Sequence, residues 1–145
     1  MRYVYPVTVE QDEDGRYVAT ALDIPEAITD GTTLKEALGE MSDALGAALA
    51  GYAIAGRVLP ASSEARPGEY LVPVAPLVAA KLALRAAMRD EGVSNVALAR
   101  RLGVTEGVVR RLVDPDHGSR LDGVVTALTA LGHRLIVEDQ KQVAA

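Results

Sequence analysis

The 145-residue sequence predicts an α+β protein in two parts. Residues 1–75 read as a β-β-β-α-β unit, and residues 76–140 as a helical unit that contains a helix-turn-helix and ends in a short strand. Three observations predict this. Apolar residues alternate with period two in the first twenty positions and then recur with helical spacing. Residues 56–76 collect Gly56, Pro60, Ser62, Ser63, Pro67, Gly68, Pro73 and Pro76, which break any single regular element. Beyond that junction the spacing is helical until residue 133.

Tyr3, Tyr5, Val7 and Val9 alternate with Val4, Pro6, Thr8 and Glu10, the pattern of a strand. Asp12-Glu13-Asp14-Gly15 has the chemistry of a hairpin turn, and Arg16–Thr20 is the returning strand. Ala27-Ile28-Thr29 gives a third strand, stopped by Asp30-Gly31. Thr33 followed by Glu36 is a capping box, in which each side chain satisfies a free N–H of the helix start. Leu34, Ala37, Leu38, Met41, Leu45, Ala48, Leu49 and Tyr52 then form one apolar stripe. The helix is expected to cover one sheet face and to leave the other for a partner. Glu69–Val74 is a further strand with Tyr70, Val72 and Val74 on one face. Pro73 cannot donate to a ladder, so this strand belongs at an edge.

In the second part, Leu77–Asp90 is a helix that follows Pro76 and ends near Gly92. Residues 95–112 carry the helix-turn-helix. Ala99 is small where the second helix packs, and Gly103 tolerates the positive φ of a tight turn. Val109 and Leu112 follow at the motif's spacing, with Leu98, Leu102 and Val104 as apolar flanks. Thr105 caps the second helix. Glu106, Gly107, Arg110 and Arg111 are left facing outward, where Arg pairs with guanine or phosphate. Ser94 and Asn95 sit at the first helix's N-terminus, beside backbone N–H groups that favour phosphate. His117, Ser119 and Arg120, in the following loop, complete the expected DNA-facing set. Ser119 also serves as the cap of a last helix, with Leu121, Val124, Val125, Leu128 and Leu131 inward and Gly132 as its stop. His133–Glu138 reads as a strand that wants a partner, most economically a second copy of the chain.

Composition narrows the chemistry. With 49% hydrophobic residues but only five Tyr and no Phe or Trp, the core must be aliphatic. Cysteine is absent, which excludes disulfides, thiolate nucleophiles and cysteine-based metal sites. His117 and His133 are the only imidazoles, so neither a metal nor another cofactor is expected. No phosphate-binding glycine loop and no Ser-His-Asp set can be assembled. There is no signal peptide and no run long enough to span a bilayer, so a cytoplasmic protein without a membrane partner is expected. Residues 1–75 hold 5 basic and 12 acidic residues, net −7; residues 76–145 hold 10 basic and 8 acidic, net +2. The first part suits a basic partner, and the second is compatible with a polyanion. Asp12, Glu13, Asp14, Asp23 and Glu26 are the residues expected to meet such a basic partner. Most acidic side chains here lie in turn contexts that alone account for them.

Taken together, the two parts resemble the HicB family of antitoxins. The resemblance runs through Tyr5-Pro6-Val7, Asp14-Gly15-Arg16-Tyr17, Asp30-Gly31-Thr32-Thr33-Leu34-Lys35-Glu36-Ala37 and Leu59-Pro60-Ala61-Ser62. It continues through Asp114-Pro115-Asp116-His117-Gly118-Ser119-Arg120-Leu121 and Ala130-Leu131-Gly132-His133-Arg134-Leu135. It implies a partial ribonuclease H-like fold without nuclease activity in the first part and an Xre-like helix-turn-helix in the second. It implies that the first part binds and occludes a small basic HicA-like toxin that cleaves mRNA. It also implies that the second binds operator double-stranded DNA, as a homodimer or higher oligomer, and represses the operon. Two other readings fit parts of the sequence: a stand-alone repressor whose first part senses a small ligand, and a metal-dependent nuclease.

Overall fold

A computed structural model describes residues 1–142. The described residues form two compact units, Met1–Ala75 joined by residues 139–142, and Pro76–Glu138. Among the described residues the protein is mixed α+β, with a four-stranded antiparallel sheet and five helices.

In the first unit, strands β1 (Val4–Gln11), β2 (Tyr17–Thr20), β3 (Ile28–Gly31) and β4 (Tyr70–Pro73) accompany helix α1 (Leu34–Ile54). The sheet order is β3-β2-β1-β4. β1 is long enough to serve two neighbours: Val4–Val7 pair with β4, and Thr8–Gln11 pair with β2. The β1–β2 turn closes as its Asp-Gly chemistry predicts. Gly15 takes φ 78°, and the Asp12 carboxylate accepts the N–H groups of Asp14 and Arg16 at 3.0 and 2.9 Å. β4 lies at the sheet edge, as Pro73 requires.

α1 begins at Thr33, whose hydroxyl accepts the Glu36 N–H at 3.1 Å. The reciprocal half of the capping box differs: the Glu36 carboxylate accepts the Thr32 hydroxyl at 2.6 Å. Ala37, Met41, Leu45 and Leu49 bury the α1 stripe with Tyr5, Val7, Ala19 and Val72. The Tyr5 hydroxyl donates to the carbonyl of Pro60 at 2.7 Å, tying the junction to the sheet. Two expectations are corrected. β3 runs through Asp30 and Gly31, because both pair with β2 and Gly31 lets the backbone of α1 approach closely. The second sheet face is not bare along its whole length: Val4 and Pro6 are buried, while Glu10 is exposed.

The second unit holds α2 (Pro76–Glu91), α3 (Asn95–Leu102), α4 (Glu106–Val113) and α5 (Leu121–Ala130). Ala80, Leu84, Met88, Leu98, Val109, Val113, Val124 and Leu128 share one aliphatic core. Four expectations fail here, the first that Leu121 turns inward: at the start of α5 it is 38% exposed. Val104 is 39% exposed, because it follows left-handed Gly103 in the turn and points away from the core. Ser119 does not cap α5; Arg120 holds that position without a side-chain cap, because the Ser119 hydroxyl is engaged elsewhere. Residues 133–138 form no strand within the chain: Leu135 packs on the core, but Ile136 and Val137 are 87% and 84% exposed. A β-prone composition cannot make a ladder without a neighbouring strand.

Candidate nucleic-acid interface and acidic surface

α3 and α4 are each eight residues long, too short to persist alone in water, and depend on their buried sides. Ser94 caps α3 by accepting the Ala97 N–H at 3.1 Å, and Asn95 follows half-buried. α3 ends at Gly103, φ 68°, whose N–H reaches the carbonyl of Arg100 at 3.3 Å. Thr105 then caps α4 by accepting the Val108 N–H at 3.4 Å. Val109 and Val113 turn inward, which leaves Arg110 and Arg111 exposed. Glu106 and Gly107 are half-buried rather than fully outward. Arg110 makes an ion pair with Glu106 at 3.1 Å, one turn earlier. The space beside Gly107 is lined by the guanidinium groups of Arg110 and Arg111 and the Thr105 hydroxyl.

The loop after α4 is shaped by its own polar groups. The Asp114 carboxylate accepts the Asp116 N–H at 3.0 Å, and the His117 N–H donates to the Asp114 carbonyl at 3.1 Å. His117 and Arg120 are exposed; Ser119 is half-buried, its hydroxyl 2.8 Å from Lys81 Nζ. Thus Ser94 and Thr105 are occupied by cap bonds and Ser119 by Lys81, while Arg110, Arg111, His117 and Arg120 present charge or polarity to solvent.

Three further residues belong in this description. Arg100 and Arg101, exposed in the last turn of α3, add two cations. Lys81 is wholly buried. Its signal in the sequence is a lysine standing in the apolar series Leu77, Leu84 and Met88 at helical spacing. Burial lowers its pKa from the ordinary lysine value, and the charge of Asp114 opposes that shift.

The acidic residues of the first unit are dispersed. Asp12 closes the hairpin turn. Asp23 accepts both the N–H and the hydroxyl of Ser63, at 2.9 and 3.0 Å. Glu26 accepts the Tyr52 hydroxyl at 2.6 Å, which lowers its pKa and raises that of Tyr52. The Arg57 guanidinium lies 4.1 Å from the centre of the same Tyr52 ring. Asp30 pairs with Arg16 at 2.7 Å, and that bond lowers its pKa. Of the five acidic residues expected to face a basic partner, Glu13 and Asp14, at the exposed hairpin tip, are the two without a side-chain bond among the described residues. No three metal-ligating side chains converge among the described residues. No helix there is long and apolar enough to cross a membrane.

Comparison with known proteins decides what this arrangement belongs to. Residues 4–83, more than half of the chain, match the family model described as "HicB_like antitoxin of bacterial toxin-antitoxin system". The chain belongs to the HicB-like antitoxin family. Antitoxin HicB 2 of Photorhabdus laumondii is 40% identical over 131 residues, covering 90% of this chain and 92% of its own length. Antitoxin HicB of Escherichia coli K12 is 34% identical, over 90% and 95%. The matched model covers the whole sheet and α1, and similarity to these HicB antitoxins extends into the second unit. As a HicB-like antitoxin, the chain is the antitoxin of a toxin–antitoxin system.

Proposed function

We propose that the first unit binds and occludes a small basic HicA-like toxin that cleaves mRNA, and that the second binds operator DNA and represses the operon. The first unit acts as a non-catalytic, partial ribonuclease H-like scaffold, with Glu13 and Asp14 and the flanking Asp12, Asp23 and Glu26 as its acidic surface. Complementary charge there speeds encounter and fixes orientation. In the second unit α3 and α4 act as an Xre-like helix-turn-helix. The reading rests chiefly on α4, which sends Arg110 and Arg111 outward from a side anchored by Val109 and Val113.

The molecule works in the cytoplasm, where its operator and its toxin's mRNA targets both lie. It docks as a homodimer, with the two α4 helices in successive major grooves roughly 34 Å apart. Exposed Ile136 and Val137, in an extended segment without a ladder, support pairing with a second copy. Two experiments test the proposal. Co-expression with the adjacent reading frame should co-purify a short basic protein; its absence from the complex removes the toxin-binding role. Titration of the upstream DNA in a mobility-shift assay should show tight binding that Arg111→Ala weakens by about 1–3 kcal/mol. Arg110→Ala should cost less, because Glu106 already competes for that guanidinium.

A further inference from the structure

Lys81 stands on the buried side of α2, yet its charge is used entirely on another helix and its loop. Its Nζ lies 2.8 Å from the carbonyl of Arg111, 2.8 Å from that of Asp114 and 2.6 Å from that of His117. It also lies 2.8 Å from the Ser119 hydroxyl oxygen. An ammonium has three N–H donors, so four acceptors share three hydrogens. One turn along α2, Arg85 Nε donates to the Val113 carbonyl at 2.8 Å. Two cations therefore meet the negative end of the α4 dipole. The Ser119 oxygen extends the network, 3.3 Å from the Arg111 carbonyl and 3.3 Å from His117 Nδ1.

An aliphatic side chain would continue the stripe of α2 without the desolvation that a buried ammonium suffers. What the lysine adds is geometry. We infer that Lys81 is a positioning residue of the DNA-reading surface: it fixes residues 114–119 against the end of α4, and so fixes where Arg111, His117 and Arg120 meet duplex phosphates. This inference rests on the operator-binding reading above.

The test is a salt titration of operator binding by the full-length protein, using a duplex of the DNA upstream of its own reading frame. Lys81→Met removes the ammonium at similar length. Ser119→Ala removes one acceptor and the link to His117 and leaves the aliphatic core intact. The slope of log affinity against log salt reports the number of phosphates neutralised. A variant that is only less stable has less active protein but keeps the wild-type slope. A displaced loop loses contacts, and the slope falls by about one for each. The expected result is binding about ten-fold weaker with a slope reduced by about one to two for Lys81→Met, and about three-fold weaker with a slope reduced by about one for Ser119→Ala. If Lys81→Met does not fold, Ser119→Ala decides. Wild-type slopes in the folded variants overturn the positioning role. Arg111→Ala and Arg120→Ala run alongside: should they too leave affinity and slope unchanged, operator binding by this surface fails, and the positioning role fails with it.

Discussion

Gly31 and Gly107 are both glycines whose φ is not positive, and they are there for different reasons. A Cβ on Gly31 would stand 2.6 Å from the backbone N of Ala37, where β3 meets the first turn of α1. Backbone cannot move aside cheaply, so Gly31→Ala should cost about 1–3 kcal/mol in a urea-unfolding titration. A Cβ on Gly107 meets nothing closer than 3.5 Å, the far end of Arg110. Gly107→Ala should therefore stabilise α4, by up to about 1 kcal/mol. If α4 lies close against DNA, the same change weakens operator binding, so stability and affinity should move in opposite directions. Equal or better binding by that variant would remove Gly107 from the interface. A helix interior disfavours glycine, so Gly107 is conspicuous from the sequence alone. Gly31 read only as a strand stop, because its reason is a meeting of two elements that spacing along the chain does not encode. Glu26 gives a pH-dependent prediction. The Tyr52 hydroxyl holds its carboxyl below the ordinary 4.5. A depressed carboxylate contributes stability above its unfolded value and loses it as pH falls through the folded one. The melting temperature of Glu26→Gln should lie below wild type near neutral pH and converge on it in acid. A constant gap across the titration would show that Glu26 contributes only through uncharged contacts.

At the scale of elements, local chemistry was most legible where it was complete within a few residues. The sequence predicts a cap at Thr33, and Thr33 is one; Thr33→Ala should cost about 1 kcal/mol in thermal unfolding. The hairpin turn at Gly15 and the αL turn at Gly103 were legible for the same reason, since positive φ selects glycine there. Pro73 announced an edge strand because it lacks the donor that an inner strand needs. What failed to read correctly depends on partners distant in sequence. The sequence predicts a cap at Ser119, but Lys81, 38 residues earlier, holds its hydroxyl. The apolar type of Val104 predicts a core position, although its place after Gly103 turns it outward. Residues 133–138 have strand composition, but they pair with no strand of their own chain. The candidate surface divides the same way. Arg110 and Arg111 were legible from the helical period that buries Val109, whereas the part Lys81 plays behind them required the fold.

Across the whole molecule, the acidic excess lies in the residues of the first unit and the arginines of α3 and α4 lie in the second, so the two proposed activities should be separable by charge. Glu13 and Asp14 lie at a hairpin tip, outside the core, and Arg111 is exposed on α4. Replacing Glu13 and Asp14 by Lys changes the field that a basic toxin meets from afar. Its association should slow by about ten-fold at low salt, with the difference shrinking as salt rises. Operator affinity measured on the same protein should not fall, since the added charges are positive and repel no phosphate. Arg111→Ala should give the reverse pattern, with weaker operator binding and unchanged toxin association. Stopped-flow association with the toxin and mobility shift with the operator, run on both variants, give four numbers. Loss of both activities in either variant would mean that one surface serves both partners, and the division of labour between the two units would have to be abandoned.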